Sequence, residues 1–181
     1  MNMKNILYAI TLAFFAVIPA IPAYAQDEKT SSATHFSDLP MDTRIQKLRL
    51  YLESMSSPLS EYAHFIVSEA DRVNIDWRLV TAIAGVESTF GKHIPTDSYN
   101  AWGWAVYTGQ QDGKHFNSWK DGINVVSEGL KMNYINRGMD TVEKMSSTYA
   151  ASPTWSWKVS YFINQIDSFH PKKSSLFDVM L

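Results

Sequence analysis

The segment from Asp76 to Gly91 constrains the fold more than any other stretch of the chain. It reads Asp-Trp-Arg-Leu-Val-Thr-Ala-Ile-Ala-Gly-Val-Glu-Ser-Thr-Phe-Gly, and its pattern predicts one helix. Asp76 suits an N-cap, because its carboxylate accepts the orphan N–H groups of a first turn. Ile75 and Val80 fall at the two positions of a hydrophobic staple. Gly91 suits the C′ position, where a left-handed residue ends a helix. Between these caps nearly every side chain is apolar or small, so other elements must wrap the helix on most sides. Val80, Ile83, Glu87 and Phe90 lie on one face, at i, i+3, i+7 and i+10. A carboxylate therefore interrupts an apolar stripe near the end of a buried helix. Burial disfavours its charged form and raises its pKa. A carboxylic acid still protonated near neutral pH is what breaking a glycosidic bond requires. An ion pair with Arg72 or Lys92 is the plainer use of the same residue.

The flanking segments supply helices to do the wrapping. Leu39 to Met55 has helical spacing in Ile45, Leu48, Leu52 and Met55, and Ser56-Ser57-Pro58 breaks it. Leu59 to Val73 predicts a second amphipathic helix, with Tyr62, Phe65, Ile66, Glu69 and Val73 near one side. Residues 93–117 carry Gly, Pro, Asn and Asp punctuation, the mark of a loop or small irregular lobe. Within it, residues 104–107 and 115–116 around Gly109 to Gly113 fit a small β-hairpin. Ser118-Trp119-Lys120-Asp121 is a capping box, predicting a helix from Trp119 to Arg137 that stops at Gly138. Asp140 and Glu143 repeat the pattern for a shorter helix to about Thr148. Ser152-Pro153 supplies a cap and an N1 proline for a last helix to about Phe169, followed by Pro171. The expected class is mainly α, one domain over 59–171 with a small loop or hairpin lobe over a cleft. Residues 39–58 form an N-terminal helix and linker, and 172–181 a tail.

The first 25 residues read as a targeting segment. Lys4 is its positive end, Ile6 to Ile18 its apolar core, and Ala23-Tyr24-Ala25 a cleavage site. The apolar run, about 13 residues, is short of the roughly 20 that span a bilayer. An exported chain is therefore expected, periplasmic or outside the cell, with no stable membrane insertion after cleavage. Residues 26–38 are polar and rich in Ser and Thr, a disordered leader by composition. Cleavage removes only Lys4 among charged residues, leaving 15 of 16 basic residues against 18 acidic ones and a net charge of −3. That balance argues against a nucleic-acid binder, which needs a basic patch. The chain has no Cys, so disulfides, thiolate metal sites and a cysteine-linked lipid anchor are all excluded. No metal or cofactor is expected, and the His residues lack H-E-x-x-H spacing.

Three motifs then stand in order. Gly85-Val86-Glu87-Ser88-Thr89-Phe90-Gly91 is followed by Ser98-Tyr99-Asn100-Ala101-Trp102-Gly103-Trp104, and later by Tyr149-Ala150. The second motif follows the first closely enough to fold back over the acid. It offers an amide, two indoles and a flexible glycine, groups suited to sugar hydroxyls and sugar C–H faces. Trp102 and Trp104 alternate as strand residues do, so one can be core and the other surface. This set resembles the lysozyme-like superfamily, most closely its bacterial branch of endo-β-N-acetylglucosaminidases and lytic transglycosylases. The resemblance covers roughly Leu59 to Phe169. The Gly-Leu-Met-Gln segment of many lytic transglycosylases is missing here, and Asn-Ala-Trp-Gly-Trp stands in its place.

The resemblance implies that Glu87 is the catalytic acid and that Tyr149 orients the reacting sugar. It implies a cleft between the Glu87 helix and the loop lobe, with peptidoglycan strands as the partner. Ser88, Asn100, Trp102, Trp104 and Tyr107 are the candidate substrate-binding residues, although Ser88 also suits a bond back to its own helix. A second carboxylate has candidates in Asp97, Asp112 and Asp121. Asp121 is explained by its capping box, and Asp97, in the loop, is the choice. With a partner carboxylate, water attacks and the anomeric centre inverts. Without one, the substrate's N-acetyl oxygen can assist, ending in hydrolysis or an anhydro sugar. A non-catalytic glycan-binding module, or an envelope interaction domain docking through Leu39–Met55, would keep the same surface without chemistry.

Overall fold

A computed structural model of the chain describes residues 42–105 and 113–170. Among these the protein is mainly helical, with six α-helices and no strand. The targeting segment, the leader, the tail, Pro171 and Tyr107 lie outside the described residues. No helix among the described residues is long and apolar enough to cross a membrane.

Helix α1 spans Thr43–Ser54. Its start is set by Asp42, whose carboxylate accepts the Arg44 N–H at 2.9 Å, four residues into the stretch expected to be helical. Leu48, Tyr51 and Leu52 face the core. The Arg44 guanidinium also grips both oxygens of Asp71 at 2.8 Å, fastening α1 to α2. The second predicted helix divides into a 3-10 turn, Ser60–Tyr62, and α2, Ala63–Val73. Asn74 ends α2 in the left-handed conformation, which Asn tolerates better than most residues. Glu69 of α2 is buried and accepts from Arg72 at 2.7 and 2.9 Å and from Asn124 at 2.9 Å.

Helix α3, Leu79–Ser88, is buried from Leu79 through Gly85. It packs most extensively on α6, Trp155–Ser168, and also touches α2 and the helix Trp119–Asn133. Gly85 permits that closeness, because a Cβ there would stand 2.7 Å from Phe90 and 3.0 Å from Phe162 of α6. Helix α4, Trp119–Asn133, starts at Ser118 as its motif predicts, with the Asp121 N–H on the Ser118 hydroxyl. It ends earlier than expected. A 3-10 turn, Ile135–Arg137, carries the chain to Gly138. Helix α5, Val142–Tyr149, is capped by Thr141 and not by Asp140, which instead pairs with Lys144. Helix α6 begins two residues after Pro153 and has no side-chain cap.

Much of the hairpin expected over 104–116 lies outside the described residues. Residues 106–112, which include Val106, Tyr107 and most of the Gly109–Gly113 turn, are among these, and one bond joins the base, Lys114 N–H to the Trp104 carbonyl at 2.9 Å.

Candidate active site around Glu87

Glu87 sits in the last turn of α3, at the point where the helix leaves the core. The helix does not run to Gly91. Thr89 and Phe90 already adopt left-handed φ values of 52° and 61°, and Gly91 follows at 84°. The N–H groups of Thr89 and Phe90 both reach back to the Ala84 carbonyl, the latter at 2.9 Å, and close the helix end. A β-branched residue in this region is uncommon and costs about 1–2 kcal/mol. The reversal swings Phe90 back over Gly85 into the core and leaves Glu87 at the surface. The expectation of a buried Glu87 is thereby corrected: its neighbours Ala84, Gly85 and Ser88 are buried, while Glu87 itself is open to solvent.

Ser88 holds this ending to the next loop. Its buried hydroxyl accepts the Gly91 N–H at 2.8 Å and lies 2.7 Å from the Ala101 carbonyl and 3.1 Å from that of Ala84. The single hydroxyl proton serves the shorter contact best. Every partner is backbone, so Ser88 is a fastening and not a sugar ligand.

The same correction applies to Asn100 and Trp102. The Asn100 amide donates to the carbonyls of Trp104 at 3.0 Å and Lys114 at 2.9 Å. Its oxygen accepts the N–H groups of Trp104 at 3.0 Å and Trp102 at 3.3 Å. Both donors and both lone pairs are thus occupied by the loop's own backbone. Trp102 is fully buried and donates its indole N–H to the Val80 carbonyl at 3.0 Å. It is the core member of the alternating pair, and Trp104 is the member that reaches the surface.

Between them, Gly103 takes a left-handed φ of 59°, and a Cβ at that point would stand 3.2 Å from Glu87 Oε2. The loop backbone therefore covers one side of the carboxyl group. On another side the Trp155 indole donates to Glu87 Oε1 at 2.7 Å. Burial of the carboxyl group raises the Glu87 pKa, opposed by the Trp155 bond and by the positive charge of Lys158. The raised direction matches the sequence reading, though its source is local crowding of the carboxyl group and not burial of the whole residue. Arg72 and Lys92, the cations of the plainer reading, are engaged elsewhere. Arg72 bridges Glu69 and Glu128, and Lys92 donates to the Met55 carbonyl.

An aromatic wall continues from Trp155. Tyr149 stacks on it at 4.6 Å between centroids and 22° between planes. Tyr134 and Trp104 follow, 5.7 and 6.1 Å from Tyr149. Trp104 in turn lies across Gly129 of α4, where no side chain intervenes. Gly103, Trp104, Ala105, Tyr134, Thr148 and Tyr149 line a cavity of about 330 Å3. The Tyr149 hydroxyl donates to the Trp102 carbonyl at 2.8 Å. Burial first, and then the Glu87 charge, push its pKa well above the usual phenol value, so it stays neutral throughout the physiological range.

The structure thus brings together Glu87, Tyr149 and Trp104. Asp97 is exposed, in a left-handed turn at φ 55°. It neither hydrogen-bonds to these residues among the described ones nor lines their cavity. Trp155 and Tyr134 were missed as site residues. Trp155 reads in the sequence as an apolar position of the last helix, and the only hint was an indole N–H that needs an acceptor once buried. No protein-family model matches the sequence, and no curated protein matches it.

Proposed function

We propose that the chain is an exported, lysozyme-like glycosidase that cleaves β-1,4 bonds between amino sugars of peptidoglycan, with Glu87 as its general acid. The observation that carries this reading is the setting of the Glu87 carboxyl group. It is open to solvent on one side, its burial raises its pKa, and the adjoining Gly103 lines a cavity walled by aromatic rings. The cavity volume falls at the small end of ligand sites, about 300–1,000 Å3. Trp104, Tyr134 and Tyr149 offer faces against which sugar C–H surfaces pack. Tyr149 has spent its proton on Trp102, so its oxygen is left to accept from a sugar hydroxyl or amide.

In this reading Glu87 protonates the leaving oxygen while the transition state becomes oxocarbenium-like. Glu87 reaches the cavity through Gly103, and no described carboxylate is among the residues lining it; Asp112 lies outside the described residues. The anomeric carbon is then met either by the substrate's own N-acetyl oxygen or by a water that a second carboxylate deprotonates. Glu87, once deprotonated, then accepts a proton from water or from the sugar's 6-hydroxyl. The second choice makes the protein a lytic transglycosylase.

The test is digestion of purified peptidoglycan by the chain and by Glu87→Gln, with mass spectra of the soluble fragments. Fragments with reducing ends, absent for the variant, are expected for a hydrolase. Fragments lighter by one water identify the transglycosylase. Binding without fragments from either protein sinks the catalytic reading and leaves a glycan-binding module.

A further inference from the structure

The two oxygens of Glu87 have different surroundings. Oε1 takes the Trp155 indole N–H at 2.7 Å. Oε2 faces the bare backbone of Gly103, where a Cβ would come within 3.2 Å. An indole N–H donates and never accepts. A proton on Oε1 would set one donor against another and forfeit that bond, whereas a proton on Oε2 leaves Oε1 as a carbonyl-type acceptor and keeps it. From these contacts we infer that Glu87 holds and delivers its proton on Oε2, with Trp155 as the positioning residue that fixes Oε1 and Gly103, which has no side chain, keeping the space beside Oε2 clear for the leaving oxygen. This rests on the glycosidase reading above.

Trp155 is built to hold a fixed direction. It is buried, and its ring is pressed on Tyr149 at 4.6 Å. Tyr149 is tied in turn to the Trp102 carbonyl at 2.8 Å. Trp102 is anchored to Val80 of the helix that carries Glu87. The path from α3 through the loop, α5 and α6 closes back on the carboxyl group, so each member limits the freedom of the next. Gly103 adopts its left-handed conformation at no steric cost, and a side chain there would occupy the space beside Oε2.

The proton leaves Oε2 for the glycosidic oxygen as the C1–O bond breaks, and the bonding pair stays on that oxygen. Positive charge at C1 is met by the substrate's N-acetyl oxygen or by water. Glu87 becomes a carboxylate, to which the Trp155 N–H bonds more strongly than to the neutral acid. The contact therefore tightens along the reaction, which is the kind of interaction that raises kcat and not merely affinity. The other ionisable groups acting at this carboxyl are Lys158 of α6 and Tyr149 of α5.

The test is Trp155→Phe, which keeps a ring against Tyr149 and removes the N–H. A kcat on peptidoglycan lower by roughly ten- to a hundredfold is expected, with KM nearly unchanged. The alkaline limb of the kcat profile should move to higher pH, because the lost bond favoured the carboxylate. A 13C NMR titration of the Glu87 carboxyl, which needs no substrate, should move the same way. If phenylalanine unfolds the chain, 3-benzothienylalanine at position 155 keeps the shape and exchanges only N–H for sulfur, and the same two readouts apply. An unmoved or lowered titration midpoint, or an undiminished kcat, overturns the inference. Failure of the native chain to cleave peptidoglycan sinks the glycosidase reading instead, and the titration then decides the Trp155 contact alone.

Discussion

Replacing Ser88 by alanine separates a structural fastening from a sugar ligand. The hydroxyl is buried and accepts the Gly91 N–H at 2.8 Å while donating to the Ala101 carbonyl at 2.7 Å. Alanine is close in size, so the cavity it leaves is small. The cost comes from orphaning two backbone groups, on Gly91 and Ala101, that are themselves buried. A buried donor or acceptor left without a partner costs about 1–3 kcal/mol. Two such groups, with partial relaxation of the left-handed turn, give about 2–4 kcal/mol. For a domain of this size each kcal/mol lowers Tm by about 3–5 °C, so a fall of about 10 °C is expected. Urea denaturation of Ser88→Ala beside the native chain measures the loss directly, and the slope of the transition should not change. Glycan binding by the fraction still folded should be near native. The opposite pattern, a native midpoint with weakened glycan binding, would refute the placement of Ser88 and restore it as a ligand.

Glu87 makes a pH-dependent contribution of defined sign. Its pKa is raised in the fold, so the native state binds the proton more tightly than the unfolded chain, and ionising it weakens folding. The associated stability is present below the unfolded carboxylate pKa and lost as pH rises through the folded one. Glu87→Gln should therefore gain stability relative to the native chain between pH 4 and 7, as denaturant melts at the two values will show; a gap that narrows over that interval contradicts the raised pKa. Gly85→Ala places a methyl 2.7 Å from Phe90, and overpacking of this kind costs about 1–3 kcal/mol, read as a lower melting temperature. Thr89→Gly relieves a left-handed β-branched residue at φ 52°. Its gain, offset by the freedom glycine adds to the unfolded chain, should be about 0.5–1 kcal/mol in the same assay.

The helices were legible because their signals are local. Ser118 caps α4 where the motif places it, while the Asp121 carboxylate takes the N–H of Asn117, one residue further out; the apolar residues of α3 and α1 face the core as their spacing demands. Boundaries were less legible where two signals compete. Thr141 outcompetes Asp140 as a cap because Asp140 has Lys144 as a partner at 2.6 Å. Gly91 looked like the end of α3, yet the chain reverses at Thr89. The bond from the Phe90 N–H to Ala84 and the packing of Phe90 against Gly85 and Phe162 compensate for left-handed residues that no propensity would place there.

That Glu87 lies at the centre of the candidate site was legible; the division of labour around it was not. Asn100, Trp102 and Ser88 have the chemistry of sugar ligands, and the sequence alone cannot tell an amide aimed at a hydroxyl from one aimed at a carbonyl. What decides is the loop's own need. Residues 98–104 cross the end of α3 without helix or strand, so their backbone groups require partners. Asn100 supplies four contacts, Ser88 takes the Ala101 carbonyl, and Tyr149 takes that of Trp102. The polar residues of the motif are consumed in holding an irregular backbone against Glu87, and what that backbone presents to the acid is Gly103, a residue with no side chain. The motif therefore acts as a scaffold for an opening. On this argument Asn100→Ala should lose both stability and glycan cleavage, because the loop moves away from Oε2, whereas Trp104→Ala should leave Glu87 in place and chiefly raise KM. Equal effects on KM from the two variants would mean that Asn100 touches the sugar after all.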